Sequence, residues 1–349
     1  MYKELTIATN NGDIGGGEVM LLNVARAARS LGYQVTVVGP AEPPALVEAT
    51  QDEGFDTVVL PATTRKHYIA QLRVWDKKHR KGLLWCNGLL PSFATAGHPH
   101  RIVHLHQLPE GKLKYLAPIA RRKALTTLVP SDFVSNQLAG TETFYNWVTE
   151  VSMPLERKVF SPRNIKVGFL GRPSEIKGTD VLARALKELN QQFHEENYSL
   201  VLAGESRFIG EQSQQRVQES LTDLGDNVET LGWVTPSELM KNVDIMVVPS
   251  VFNEVFGLVA AETMSARVPL IISNAGALPE ILGEEYPWVF PNSDVSALAK
   301  TIRRMSQELA VHPENLQGIV DSLYWRWHER YSPEAGKARV EQLLRRLWQ

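Results

Sequence analysis

The chain has 349 residues, more than one ordinary domain holds, which suggests two of about 150–180 residues each. Its 43% hydrophobic and 22% charged residues are those of a folded globular protein and exclude a disordered chain. Cys86 is the single cysteine, which excludes an internal disulfide and fits a reducing compartment. No run of 18 apolar residues is present, so no membrane-spanning helix is expected. The N-terminal MYKELTIATNNGD enters a strand-like run with no signal-peptide core, so the expected location is cytoplasmic.

In chain order, residues 4–9, 34–39, 56–61, 83–86, 101–105 and 125–129 are short apolar runs bounded by Gly, Pro or Asn, and they read as strands. Between the first two, residues 18–32 trace a helical apolar face through Val19, Leu22 and Ala25, with Gly32 as a stop. Residues 153–164 contain two prolines and little periodicity and read as a linker. The pattern then repeats, with strands at 166–170, 199–204, 244–250 and 269–273 and helices at 179–193 and 296–310. A last helix spans 332–349, with Ser332 as cap and Pro333 at its first position. Alternating strands and helices imply parallel sheets covered on both faces. The expected fold class is α/β: two Rossmann-like doubly wound domains, 1–155 and 165–330, facing a cleft, with helix 332–349 crossing back to the first. In such sheets ligands bind at the C-terminal strand ends.

The net charge of −2 hides an asymmetry. Residues 1–165 carry 19 basic against 14 acidic residues, and residues 166–349 carry 18 against 25. The first half concentrates its cations in 65–81 and 112–123. These are either solvated helix faces or the footprint of an anionic partner, a phosphorylated acceptor or an anionic membrane surface. No nucleic-acid partner is expected.

Four segments carry candidate chemistry. In LGRPSEIKGTD (170–180), Arg172 and Lys177 leave a strand beside a helix N-terminus, where two cations and free N–H groups suit a diphosphate; surface cations capping a loop are the alternative. In PSVFNEVFGLVAAETMSA (249–266), Glu254 lies in a loop and Glu262 about one turn into a helix that begins at Phe256, Gly257 and Leu258. Carboxylates accept from sugar and ribose hydroxyls, and Gly257 permits close backbone approach; dipole complementation by Glu262 is the plainer reading. NNGDIGGGEV (10–19) is a glycine turn that is neither the dinucleotide fingerprint nor a Walker loop, so a dehydrogenase is disfavoured. In VHLHQLPEG (103–111), His104 and His106 leave a strand on one side, and no third ligand stands at zinc spacing.

The spacing Glu254-x7-Glu262 within E-x-F-G-x4-E follows G-R-x4-K-G at 171–178 and precedes ALPEI at 277–281. Together these resemble the retaining glycosyltransferases of family 4, with the GT-B fold, over nearly the whole chain. The resemblance implies that Arg172 and Lys177 hold the donor diphosphate and that Glu262 binds the nucleotide ribose. It further implies that Glu254 faces the donor sugar and that the backbone at Phe256, Gly257 and Leu258 contacts sugar and phosphate. Gly232 would flank the base, Gly16 and Gly17 would approach the diphosphate, and His106 would contact the donor sugar near the reacting carbon. The chain departs from the family pattern at three places: Arg267 and Ala277 each replace a glycine, and 153–156 reads Met-Pro-Leu-Glu where Asn-Gly-Val-Asp is usual.

The function expected is transfer of a hexose-type sugar from a nucleoside-diphosphate sugar, UDP before GDP, to an acceptor hydroxyl in glycan, glycolipid or envelope synthesis. The acceptor would be phosphorylated or lipid-linked, with peripheral contact at the inner membrane surface. No Asp-x-Asp occurs, so a metal-independent reaction without cofactor is expected. The competing readings are a nucleotide-sugar epimerase or a phosphorylase on the same architecture, and a non-catalytic binding module.

Overall fold

The computed structural model describes residues 3–154, 160–205 and 210–347. The chain divides into two units, 1–147 with 333–349, and 148–332. The linker expected at 153–164 follows that division. Trp147 is buried in the first unit and Val148 donates its N–H to the Tyr331 carbonyl of the second. Residues 155–159 of that linker lie outside the described residues.

The first unit holds one parallel sheet of seven strands. They are β1 (Glu4–Ala8), β2 (Gln34–Pro40), β3 (Asp56–Leu60), β4 (Leu83–Asn87), β5 (Arg101–His104), β6 (Ala124–Val129) and β7 (Glu142–Thr143). Their order is β3-β2-β1-β4-β5-β6-β7. The second unit repeats the scheme with β8 (Asn164–Leu170), β9 (Asn197–Ala203), β10 (Val228–Gly232), β11 (Ile245–Val248), β12 (Leu270–Ser273) and β13 (Val289–Phe290), ordered β10-β9-β8-β11-β12-β13 and again parallel. Each order reverses direction once, between β1 and β4 and between β8 and β11. At that reversal successive helices leave to opposite faces, and ligands of such sheets bind there, at the strand ends.

Central strands such as β4 and β12 are buried at every position, as expected of sheets covered on both faces. The first helix, Gly16–Ser30, buries Met20, Leu21, Val24 and Ala25 against β1 and β4. The C-terminal helix Pro333–Leu347 lies on that first helix and adds Val340, Leu343 and Leu344 to the same core. Its glycine, Gly336, fits against the Trp147 indole so closely that a Cβ would lie 2.2 Å from the ring. Two long helices, Glu211–Leu224 and Pro313–Arg330, were not among the elements expected from periodicity. The first has a low-hydropathy, Gln-rich sequence, and the second crowds aromatic and charged residues at 324–330.

Candidate functional site

In the second unit the loops after β8 and β11 meet at the switch point. Gly178 makes this possible. It sits at φ 72°, and a Cβ there would lie 1.9 Å from the Pro249 carbonyl oxygen, so only glycine permits the approach. The Ile176 carbonyl then accepts from the N–H groups of Val251 and Phe252 at 3.0 and 3.2 Å, lacing the two loops together.

This lacing brings Lys177 to Glu254. Lys177 Nζ stands 2.6 Å from Glu254 Oε1, and the Ser250 hydroxyl donates to the same oxygen at 2.6 Å. Oε2 has no hydrogen bond among the described residues. The Glu254 backbone is fixed from the other side, where its carbonyl accepts from Ala277 N–H at 2.8 Å. Arg172, one residue past Gly171 at the end of β8, is exposed and its guanidinium has no partner among the described residues. The site therefore offers one cation parked on a carboxylate and one in solvent.

The helix Leu258–Ala266 starts at Leu258, with Gly257 as its left-handed cap at φ 97°. A Cβ on Gly257 would meet Leu278 Cδ2 at 2.5 Å. Phe256, which was expected to open the helix, precedes it and is buried edge-on to Tyr331. Only its backbone is placed to reach a ligand. Leu258, Val259 and Glu262 recur at helical spacing and are all half-buried, so they share the helix face that the core does not cover. The Glu262 carboxyl has no hydrogen bond among the described residues, and burial pushes it up to about 7. Gly232 ends β10, and its carbonyl accepts from Gly204 N–H at 2.7 Å. Arg267 takes φ 54°, the left-handed conformation a glycine would supply, and stacks its guanidinium 3.8 Å from the Tyr324 ring centroid. The helix thus ends as a glycine would end it. Ala277 has an ordinary φ of −79°, while its neighbour Gly276 carries the positive φ of that turn.

The first unit assembles a second cluster at its own switch point. Gly16 and Gly17 open the first helix, and Glu18 folds the preceding turn around itself. Its carboxylate accepts from Thr9 Oγ1 at 3.2 Å, Asn11 Nδ2 at 2.9 Å and Gly15 N–H at 3.3 Å, and burial raises its pKa. His106 lies beyond β5 with Nε2 2.7 Å from Asn87 Oδ1, while Nδ1 is buried without a partner. Burial pushes its imidazole down to about 4, so the ring is neutral near pH 7. A Cβ on Gly17 would come within 3.2 Å of His106 Cδ2, so glycine turn and histidine touch. His104 is fully buried behind it, with ring centroids 4.1 Å apart. No group of three or more His, Cys, Asp or Glu is placed to hold a metal among the described residues.

Residues 164–308 match the family model described as group 1 glycosyl transferases. The matched span contains Arg172, Lys177, Gly232, Glu254, Phe256, Gly257, Leu258 and Glu262, whereas Gly16, Gly17 and His106 lie in the first unit. Among curated proteins the chain is similar to D-inositol 3-phosphate glycosyltransferase of Corynebacterium jeikeium, 34% identical over 135 residues, 37% of this chain and 30% of that protein. The chain thus matches less than a third of that relative's length. It is also similar to phosphatidyl-myo-inositol mannosyltransferase of Mycolicibacterium smegmatis, 25% identical over 310 residues, covering 77% of this chain and 75% of the relative. Among solved structures, Alr3699/HepE of Anabaena in complex with UDP and glucose superposes with a TM-score of 0.79 at 19% identity, over 98% of this chain and 99% of that one. At that identity the likeness speaks for the fold, which is GT-B: two parallel-sheet α/β units in one chain.

Two residues of these clusters escaped the sequence reading. Ser250 stood inside a quoted motif, but only its bond to Glu254 gives it a task. Asn87 ends β4, and the strand order that sets β4 beside β1 was the one signal that could have singled it out.

Proposed function

We propose that the chain is a retaining glycosyltransferase that moves a hexose-type sugar from a nucleoside-diphosphate sugar to an acceptor hydroxyl, without a metal ion. The observation that carries this reading is the pairing of Lys177 with Glu254 where the loops after β8 and β11 lace together at the switch point, within the span that matches the group 1 glycosyl transferase model. Arg172 and Lys177 would take the diphosphate and offset the charge that grows as it leaves. Lys177 would exchange its bond to Glu254 for one to phosphate, which frees Glu254 for the sugar. Glu262 would accept from the ribose hydroxyls. The acceptor oxygen attacks the anomeric carbon on the face from which the diphosphate departs. The carbon–phosphate-oxygen bond breaks, and the acceptor proton passes to the leaving phosphate oxygen. His106, whose imidazole is neutral near pH 7, is not a general base in this scheme; it packs against the glycine turn of the first unit.

UDP is favoured because a protein of the same fold holds UDP and glucose. A phosphorylated or lipid-linked acceptor is supported by relatives named for inositol phosphate and phosphatidylinositol, and by the basic first unit. Exposed Leu113, Tyr115 and Ile119 interleave with exposed Lys112, Lys114, Arg122 and Lys123, a composition suited to peripheral contact with an anionic bilayer. Among the described residues no helix is long and apolar enough to cross a membrane.

The test is thermal stabilisation by a panel of nucleotides and nucleotide sugars in metal-free buffer. Ligand at one hundred times its Kd adds about 2.7 kcal/mol of stability. A selective shift with one nucleoside diphosphate, lost in Glu262→Ala, is expected. No shift with any nucleotide would favour a phosphorylase or a binding module. Inverted product stereochemistry by NMR would overturn retention.

A further inference from the structure

Asn87 is 3% exposed at the end of β4, where it touches two other segments. Its Nδ2 donates to the Gly17 carbonyl at 3.0 Å, which fixes the amide: turned over, Oδ1 would face a second acceptor. Oδ1 is therefore the atom that faces His106 Nε2 at 2.7 Å, and an acceptor there requires the proton on Nε2. The direction of one backbone carbonyl thus selects the tautomer of an imidazole on another strand.

His104 lies one ring deeper. Trp85 Nε1, which can only donate, stands 3.3 Å from His104 Nδ1, so His104 also carries its proton on Nε2. That Nε2 is buried with no partner, and so is His106 Nδ1. One is a donor and the other an acceptor, on rings whose centroids are 4.1 Å apart.

We propose that Asn87 is a positioning residue for His106, transmitting the direction of the Gly17 carbonyl so that the imidazole is held as the Nε2–H tautomer against the glycine turn. This rests on the reading that the glycine turn and His106 serve the sugar-transfer site. Asn87 itself touches no reacting atom. Its task is to keep turn and ring in one geometry, which a hydrophobic isostere cannot do.

The experiment is ¹⁵N NMR of the histidine imidazoles in the full chain, beside steady-state kinetics. The wild type is expected to report neutral His106 with the proton on Nε2 near pH 7. Asn87→Asp still accepts from Nε2–H and is expected to keep that tautomer, although it cannot donate to Gly17. Asn87→Leu is expected to lose it and to lower kcat on the order of 10²-fold, the cost of a misplaced group, with donor KM little changed. A wild-type proton on Nδ1 overturns the proposal without any variant having to fold. So does an Asn87→Leu protein whose His106 tautomer is unchanged. If the tautomers behave as expected while no sugar transfer is found with any donor, the transferase reading fails and the positioning relation stands.

Discussion

Glu262 is a side chain whose charge is costly to the fold and to which the proposed function gives a use. Its carboxyl sits near 7 instead of its ordinary 4.5 because burial penalises the charged form. A carboxyl raised in the folded state stabilises fully below about 4.5, and that contribution is lost as pH rises through about 7. Glu262→Gln should therefore raise Tm by a few degrees near pH 8 and leave it unchanged near pH 4.5, read by calorimetry. Donor affinity should run the opposite way. Hydroxyl groups bind the ionised carboxylate, so wild-type affinity should rise from about pH 6 to about pH 8, and that of Glu262→Gln should stay flat, read by titration calorimetry. Lys177→Ala should lower kcat roughly 10²–10³-fold, the loss expected for one preorganised electrostatic contact. Arg184→Ala, which removes an exposed cation paired with Asp180, serves as its control. These residues were legible in sequence because their spacing is local: Glu254 and Glu262 share one loop and helix, and Arg172 and Lys177 one turn. Asn87 and Ser250 were not, since a lone Asn or Ser at a strand end gains meaning only from what the strand order sets opposite it.

The helix Leu258–Ala266 carries strain at both ends, of different kinds. Its cap Gly257 has no room for a side chain beside Leu278, so Gly257→Ala must both adopt a positive φ and displace a core leucine. A loss of about 2 kcal/mol or more is expected by chemical denaturation, with weaker donor binding as the helix start shifts. At the other end Arg267 bears the cost of its left-handed φ and regains stability from Tyr324 and from Asp321, 3.5 Å from its Nε. Arg267→Ala should keep the strain and lose the stacking, for about 1 kcal/mol of destabilisation. Arg267→Gly should be near neutral, because relief of strain offsets the lost contact. The departure from the family's glycine was visible in sequence. That Arg267 would keep the glycine's conformation was not, because the Tyr324 that holds it comes from a distant helix.

At the scale of the molecule, most strands and the pairing of two like sheets could be read from apolar runs, since parallel strands buried on both faces leave a plain signal. The boundary between the units, at Trp147–Val148, lies between two buried residues with no proline or glycine to mark it. The start of the C-terminal helix was readable, because Pro333 stands at its first position. Removing 333–349 should expose the face of the first helix that Val340, Leu343 and Leu344 cover, each worth about 1.5–3 kcal/mol of burial. The truncated chain should show early melting and rapid proteolysis of the first unit, with the second unit still cooperative by calorimetry.

That returning helix also bears on how the chain is made. A ribosome releases the seven strands of the first sheet well before the helix that completes their core, and the whole second unit emerges in between. Units emerging in order generally fold in order. Here the first unit is completed only after the second, so during synthesis an apolar face of it stays uncovered while 148–332 is made.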